Sequence, residues 1–501
     1  MSADESLAAG QAAMTAGRYD EAAACFDDVV VRLCGIGDIE TRRWVAYALG
    51  EKAIALCRSG LPEKSLGVDD ALIAQFRDDG DDYLRTRVLM AFDRKARALE
   101  DLGRHEEQLQ AREAELALCA CGVPAGRPLA CEKARTGRAI ALSWLGRDDE
   151  AIADWGEVLA GVGDAAEPSA RVHEAQALLR RAQAYRERGD YQAALADLER
   201  LLARFAPSEA PYIARKVAEG LLEQVWVWKE LGLSDLADAP LERLTTEFAA
   251  DADQRIVEVV TQGMFLRAED CYARSQLTLA ERLYDGVLER VRAGTASGAW
   301  EAAGAAVGKS WVLARRDAVD EALAILDLWL REFKRRFPDD SINLARMYYA
   351  KMARLDRASR FDDAVRVANE VIQAFGDSDE PTLREYVAAA LLEKATVYGP
   401  RRITEATEAF ETLGARYADE ALEILDTQIA KINPDDGPQA QRQLAPRLLY
   451  RAYILADMDR EEEAADALDS LIERYGDSDD PGVMVAVSAA RATRTELDID
   501  E

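Results

Sequence analysis

Histidine is nearly absent: only His105 and His173 occur among the 501 residues. Histidine is the usual general base and a frequent metal ligand near neutral pH, so its scarcity argues against histidine-based catalysis and metal binding. No apolar run reaches the roughly 18 residues needed to cross a bilayer, and the N-terminal segment MSADESLAAG is acidic. We therefore expect a cytoplasmic protein that is not an enzyme and has no membrane partner.

Basic residues are also in short supply relative to acidic ones. The 63 Lys and Arg residues face 93 Asp and Glu residues, which gives a net charge of −30. Such a surface repels phosphates, so we expect no nucleic-acid partner. The seven cysteines are odd in number and scattered, which is typical of reduced thiols rather than a disulfide framework.

Internal repetition is what the sequence has in abundance. The stretches that begin at Gly17, Gly146 and Gly189 read GRYDEAAACF, GRDDEAIADW and GDYQAALADL. Five positions after each glycine lies a mostly small residue, called here the reference position, which recurs in six steps of 43 residues, three of 42 and one of 58. The reference positions are Ala22, Ser65, Gln108, Ala151, Ala194, Ala237, Ala280, Ala322, Ala364, Ala406 and Ala464. They define eleven repeats that cover nearly the whole chain.

Each repeat predicts two amphipathic helices joined by a tight turn. Apolar residues recur three and four apart on both sides of the turn, without the alternation of strands. The glycine lies where the first helix must end. Eleven positions after the reference position every residue is apolar or aromatic, which marks a core position at the end of the second helix. We therefore predict an all-α protein, an α-solenoid of about eleven helix-turn-helix repeats with a 42–43-residue period.

The single 58-residue step interrupts this regularity. It predicts an insertion over 418–445, where ADEALEILDTQIAKIN can form an extra helix and PDDGPQ a turn. The expected domains are repeats 1–10 over 1–417, the insertion over 418–445, and repeat 11 with a C-terminal capping helix over 446–501. The insertion is either a hinge or a neutral surface addition.

The repeats resemble the tetratricopeptide repeat. The G-x-Y-x-x-A pattern of that family is present as Gly17, Tyr19 and Ala22 and as Gly189, Tyr191 and Ala194, with Phe26 and Gly10 at two further family positions. The period departs from the usual 34 residues, which implies longer helices and loops. The resemblance implies a right-handed solenoid whose first helices line a concave groove, and it implies that this groove holds an extended or helical segment of a partner protein.

Two charged columns follow the repeat. Thirteen positions before the reference position, repeats 2–11 carry a basic residue in eight of ten cases; five positions after it, nine of eleven residues are acidic. We predict a repeating ion pair that fixes the stacking of helices, with Lys52 near Asp70, Lys95 near Glu113, and Lys351 near either Asn369 or an acid of the adjoining repeat. The alternative interpretation is a charged ladder that binds a ligand.

Two local motifs suggest other chemistry. Residues 303–310, AGAAVGKS, are a loose form of a phosphate-binding loop, but the strand that should precede such a loop is missing and Lys309 falls on the basic column. Cys119, Cys121 and Cys131 offer three thiolates for zinc at an unusual spacing, and Cys119 already belongs to the core column eleven after the reference position. We expect no metal, cofactor or catalytic residue.

The leading hypothesis is a non-enzymatic scaffold or adaptor that binds a protein or peptide segment in the groove of first helices. Aromatic and arginine side chains are typical of such contacts. The candidate partner-binding residues are Arg94, Arg97, Arg180, Gln183, Arg186, Trp226, Lys229, Trp311, Arg315 and Tyr453. Packing of the tryptophans against a neighbouring repeat is the alternative for those positions. The rival functions are a self-associating structural protein that forms homo-oligomers and, third, a nucleotide sensor that uses 303–310.

Overall fold

A computed structural model describes residues 2–120, 122, 129–163, 167–207, 210–295, 298–398, 412, 416–433 and 437–497. All regular structure in these ranges is helical and no strand occurs in them, which confirms the predicted all-α solenoid class. The chain divides into two compact units, called here the N-terminal unit (Met1–Val260) and the C-terminal unit (Thr261–Glu501).

The helices follow the predicted order of first and second helices, with a 3₁₀ turn over Ser234–Ala237 before α12. In chain order they are α1 (Ala3–Thr15), α2 (Tyr19–Leu33), α3 (Ile39–Arg58), α4 (Pro62–Phe76), α5 (Asp82–Asp101), α6 (His105–Ala120), α7 (Ala130–Trp144), α8 (Asp148–Val162), α9 (Pro168–Glu187), α10 (Tyr191–Arg204), α11 (Pro211–Glu230), α12 (Asp238–Glu247), α13 (Gln254–Ala273), α14 (Leu277–Arg292), α15 (Ala299–Ala314), α16 (Val319–Arg336), α17 (Ser341–Arg357), α18 (Phe361–Phe375), α19 (Pro381–Tyr398), α20 (Ala418–Ala430), α21 (Pro438–Asp457), α22 (Glu461–Tyr475) and α23 (Pro481–Leu497).

The turn between the two helices of a repeat has the same backbone conformation with different residues. In the N-terminal unit it is a glycine with positive φ, from 69° at Gly103 to 80° at Gly189. In the C-terminal unit the equivalent position is Ser275, Asp317, Ser359 or Asp459, and φ remains between 55° and 61°. The left-handed conformation is therefore set by the position in the repeat, although only glycine adopts it without a steric cost.

The core lies between consecutive helices. The reference position lies where the two helices of a repeat come closest to each other. Ala22, Ala151 and Ala280 are fully buried there. Gly10 on α1 faces the ring of Phe26 on α2 so closely that a Cβ atom would lie 2.9 Å from its Cε1. Small residues are required at these points because two helix backbones and a large ring share the space.

First helices also contact one another. α3, α5, α7, α9 and α11 pack side by side in the N-terminal unit, as do α15, α17 and α19 in the C-terminal unit. We call each row a first-helix wall. This arrangement matters for function because residues far apart in sequence come together on one face.

The two charged columns meet, but across the boundary between consecutive repeats. Lys52 Nζ lies 2.5 Å from a carboxylate oxygen of Asp27, and Lys95 Nζ lies 2.5 Å from one of Asp70. The predicted partners, Asp70 for Lys52 and Glu113 for Lys95, are therefore wrong by one repeat. Helices α3, α5, α15 and α17 each pack against the second helix that precedes them in the chain. Their basic side chains reach back to that helix.

The same pairing recurs along the chain and forms an ion-pair ladder. The further rungs are Lys309–Asp285 at 2.6 Å, Lys351–Asp327 at 2.6 Å and Arg494–Asp469 at 3.1 Å. For Lys351 this is the predicted acid of an adjoining repeat. These side chains are partly exposed, so each rung contributes at most about 1 kcal/mol.

At two junctions the rung is replaced by an ion pair within one repeat. Gly156 occupies the acidic column of repeat 4, and a Cβ atom built on it would lie 3.5 Å from Nη1 of Arg181. Arg181 instead forms two 2.7 Å hydrogen bonds with Asp197 of its own repeat. Arg138 is paired in the same way with Asp154, at 2.6 Å, although Glu113 occupies the acidic column of the preceding repeat.

A helix is present in the segment that the sequence analysis assigns to the insertion. Helix α20 packs between α19 and α21. Its Asp426 lies 2.6 Å from Arg451, so α20 supplies the acid of the ladder at this point. The reference position Ala406 lies outside the described residues. The proposed division at 417 and 445 stays a prediction.

Candidate functional site

The predicted partner-binding residues lie on first helices, except Arg315, which caps the C-terminal end of α15. Arg97, Arg180 and Arg315 are exposed, and the remaining seven are half-buried. The helices of the other nine are α5 for Arg94 and Arg97, α9 for Arg180, Gln183 and Arg186, α11 for Trp226 and Lys229, α15 for Trp311, and α21 for Tyr453. Trp226, Trp311 and Tyr453 lie on first helices, and none of the three is fully buried.

A cavity of about 490 Å³ opens on the first-helix wall of the N-terminal unit. It is lined by side chains of α3 and α5 and by Lys133 of α7. Ile54, Met90 and Ala98 provide apolar surface. The charged lining consists of Arg58, Arg94, Arg97, Lys133, Asp93 and Asp101. Four basic groups and two acidic ones therefore surround an apolar patch in a chain whose net charge is −30.

Asp93 is the central charge of this cavity and is not among the residues predicted from the sequence. Lys133 Nζ lies 2.8 Å from one carboxylate oxygen and Arg112 Nη1 lies 3.1 Å from the other, while Arg97 forms a further ion pair. Burial raises the pKa of Asp93, but Arg112, Lys133 and Arg97 outweigh it and lower the pKa to about 2. The carboxylate therefore stays ionised and fixes the two basic groups at the cavity mouth.

Arg112 ties this carboxylate to the helix pair behind the cavity. It is 4% exposed, and its Nη1 also lies 2.8 Å from Glu115. Gly137 of α7 leaves the space for it, since a Cβ atom there would lie 2.3 Å from Arg112 Nε. The residues beneath the cavity therefore form a buried ionic network rather than an apolar core.

Arg94 faces inward and is not available as the sequence analysis expects. It forms an ion pair with Asp69 of α4, a carboxylate that is only 1% exposed. Burial raises the pKa of Asp69 to about 6 in spite of the Arg94 charge. Arg94 is therefore held by the buried Asp69, whereas Arg97 and Arg58 are exposed at the cavity rim.

A second group of predicted residues forms a polar network between α9 and α11. Arg180 Nη1 donates to Gln183 at 3.1 Å, and Gln183 Nε2 is 3.5 Å from Glu223. Arg186 pairs with Glu223 and, at 2.6 Å, with Glu230. The structure therefore brings these three residues together on one face, with their charges largely satisfied within the chain.

On the first-helix wall of the C-terminal unit, Trp311 forms the centre of a cationic cluster. The guanidinium carbon of Arg354 lies 3.5 Å from the centroid of the Trp311 ring, and that of Arg357 lies 5.9 Å from it. Arg315 is 5.1 Å from the ring of Tyr272. Arg354, Arg357 and Tyr272 were not predicted as site residues.

The segment 303–310 is a packed helix rather than a phosphate-binding loop. It lies within α15, and no strand precedes it in the described residues. Cβ atoms at Gly304 and Gly308 would lie 2.6 Å from Phe265 and 2.3 Å from Tyr284. Lys309 is a ladder residue, 2.6 Å from Asp285. The glycines allow close packing, and the backbone amides of the segment are used within the helix.

The zinc interpretation of the cysteines gains no support. Burial and the neighbouring Cys131 raise the pKa of the Cys119 thiol, which disfavours the thiolate that a metal needs. Cys121 lies outside the described residues. In the part of the chain that the structure describes, no three His, Cys, Asp or Glu side chains are grouped to hold a metal ion.

The described helices include none that is long and apolar enough to cross a membrane. A search of curated proteins finds no significant match to the sequence.

The tetratricopeptide repeat family model matches residues 176–208 and 448–478. Both segments consist of a first helix, a tight turn and a second helix. Together with the periodicity and the helix packing, this match makes the chain a tetratricopeptide-repeat-like α-solenoid. Repeats of this kind indicate a protein–protein interaction scaffold.

Three solved structures are similar to this chain at low identity. The apo form of the quorum sensor NprR from B. thuringiensis is 11% identical, with 82% of this chain and 96% of that chain covered and a TM-score of 0.40. The P58(IPK) TPR domain is 15% identical, with 80% and 99% covered and a TM-score of 0.21. The APC/C hetero-tetramer Cut9-Hcn1 is 12% identical, with 99% and 91% covered and a TM-score of 0.28.

Proposed function

We propose that the chain is a non-enzymatic scaffold that binds an acidic segment of a partner protein on the first-helix wall of its N-terminal unit. The observation that carries the proposal is the cavity lined by Arg58, Arg97 and Lys133 around Ile54 and Met90. An apolar side chain of the partner would enter the cavity, and acidic neighbours would meet the basic rim.

Two features of the cavity favour the binding of an acidic segment there. The basic groups at the rim are held in place before binding, since Asp93 fixes Lys133 and Arg97. Little side-chain ordering is then required when the partner docks. An acidic partner would otherwise be repelled by a chain of net charge −30, so local positive charge is needed to select where it binds.

The test compares charge reversals on two faces. The full chain is used to capture partners, and the affinity of each identified partner is measured by calorimetry. The cavity variant combines Arg58→Glu with Arg97→Glu. The matched control is Arg32→Glu on α2, a second helix, where the arginine is exposed and paired with Asp28.

We expect the cavity variant to bind at least about tenfold more weakly, because two rim charges then repel the partner. The control should bind as the wild type does. Equal affinity for all three proteins would contradict the proposal. Light scattering on the same samples separates this function from self-association, since a scaffold of this kind need not change its mass with concentration.

A further inference from the structure

The cluster around Trp311 contains three arginines without a carboxylate partner. Arg315, Arg354 and Arg357 form no ion pair with any described residue, whereas Arg94, Arg97 and Arg186 on the other wall are all paired with acids. In a chain with 93 acidic residues, three neighbouring arginines without one require an explanation.

Arg354 is the least expected of the three. It is 1% exposed, and none of its three guanidinium nitrogens has a hydrogen-bond partner among the described residues. Burying an unpaired charge in this way is costly, and native structures avoid it unless another group completes the site. Burial and Arg357 lower the pKa of Arg354 to about 10, so it remains protonated at neutral pH.

The position of Arg354 in the repeat supports the same reading. It lies ten residues before the reference position, where other repeats have Ala55, Ala141 and Val227, all fully buried, and where Asp270 is the one other charged residue. Packing alone calls for a small apolar residue at this point. An arginine here costs stability unless it has a partner of opposite charge.

We propose that Arg354, with Arg315 and Arg357, forms a binding site for an oxyanion, a carboxylate or phosphate group, against Trp311 on α15. Trp311 covers one face of the Arg354 guanidinium. The buried nitrogens of Arg354 have no partner within the described ranges, so they can donate parallel hydrogen bonds to two oxygens of a bound anion. Arg315 and Arg357 are exposed and form the rim. Arg354 is 1% exposed, so a neighbouring side chain must move for an anion to reach it. Asp356 interacts with Arg357 electrostatically, but the two form no ion pair.

This site names a ligand chemistry for the C-terminal unit and rests on the proposed function only where the oxyanion belongs to a partner protein. A free oxyanion can be tested without any partner. Failure of the anion test therefore does not contradict the function proposed for the N-terminal cavity. Failure of partner capture, in turn, does not contradict the proposed anion site.

The test follows the melting temperature of the full chain in inorganic phosphate and, separately, in succinate, with sodium chloride adjusted to constant ionic strength. Three proteins are compared: wild type, Arg354→Met, and the control Arg335→Met. Arg335 is exposed on α16 and paired with Glu332, so its loss removes one charge without touching the cluster.

At about ten times the dissociation constant, the wild type and the Arg335→Met control should melt about 3–6 °C higher than in chloride alone. Arg354→Met should show no such increase, and in chloride it should melt at or above the wild-type temperature. A response to phosphate alone or to succinate alone identifies the oxyanion. The proposal is overturned if all three proteins respond equally, if none responds, or if Arg354→Met melts several degrees lower in chloride, since the arginine would then be a packing residue completed by water.

Discussion

Replacement of Gly137 by alanine tests whether the candidate cavity really stands on a buried ionic network. In an exposed helix interior, Gly→Ala stabilises by about 0.5–1 kcal/mol, because alanine loses less backbone freedom on folding. Gly67 of α4 offers this reference case, since nothing lies within 4 Å of a Cβ atom built there. Gly67→Ala should therefore raise the free energy of unfolding by that amount.

At Gly137 the same methyl group would lie 2.3 Å from Arg112 Nε and 2.6 Å from its Cζ. Overpacking of this kind costs about 1–3 kcal/mol. Displacement of Arg112 would also weaken its contacts with Asp93 and Glu115, and breaking a buried ion pair costs up to about 3–5 kcal/mol. After the gain in helix propensity, we expect Gly137→Ala to destabilise the chain by about 2–3 kcal/mol.

Urea denaturation followed by circular dichroism measures both variants, and both lie in the N-terminal unit, so the same transition is compared. A second pair of variants isolates the cause. In an Arg112→Ala background the obstacle is gone, and Gly137→Ala should cost nothing or should stabilise. If Gly137→Ala is as stabilising as Gly67→Ala, or if its cost persists without Arg112, the network does not occupy this space and the reasoning is refuted.

Three further predictions concern the charges and turns described above. Asp93→Asn should cost about 2 kcal/mol at pH 7, because its folded pKa of about 2 is below the ordinary 3.8, and thermal melts should show the gap to the wild type closing as the pH falls from 4 to 2. A gap that is independent of pH would contradict the ionised state. Ser359→Gly should raise the free energy of unfolding by about 1 kcal/mol, since φ is 55° there, and calorimetry showing a loss would mean that the serine side chain holds the turn. Lys95→Met should cost at most about 1 kcal/mol in dilute buffer and almost nothing in 1 M salt, as measured by urea titration, and an equal cost in both would rule out an ionic role for the ladder.

The sequence predicts the helices, their turns and the buried reference position because each follows from a periodicity that repeats many times. It does not determine which repeat supplies the partner in the ion-pair ladder. Lys52 is 18 residues from Asp70 and 25 residues from Asp27, and these separations add up to one 43-residue period. Both partners therefore satisfy the same pattern, and only the packing of a first helix against the preceding second helix selects Asp27.

The candidate sites contain charged residues at repeat positions that are apolar in most other repeats. Asp93 lies fifteen positions before the reference position, where other repeats have Leu179, Leu222 and Phe265, all buried. Arg354 interrupts a mostly apolar column in the same way. A charge in an otherwise apolar column can thus be found in the sequence, but its partner cannot, because Arg112 and Lys133 reach Asp93 from two different helices.

The orientation of Arg94 shows a related limit. Four positions after the reference position, Phe26, Trp155 and Tyr284 fill the core, whereas Asp69 stands there in repeat 2. A buried carboxylate attracts the nearest cation, so Arg94 turns inward although its position on a first helix favours the open face.

The ion-pair ladder has a consequence for how the chain comes apart. Each of its rungs joins the second helix of one repeat to the first helix that follows, so it stabilises a junction and not a repeat. In a linear stack, the length of chain that melts as one piece depends on how strong the junctions are relative to the repeats. Added salt weakens the rungs and leaves the apolar contacts within each repeat nearly unchanged. Concentrated salt should therefore shorten the cooperative segment before it reduces helicity. Under a pulling force the chain should part first at junctions without a rung, such as those at Arg138 and Arg181, which are paired within their own repeats.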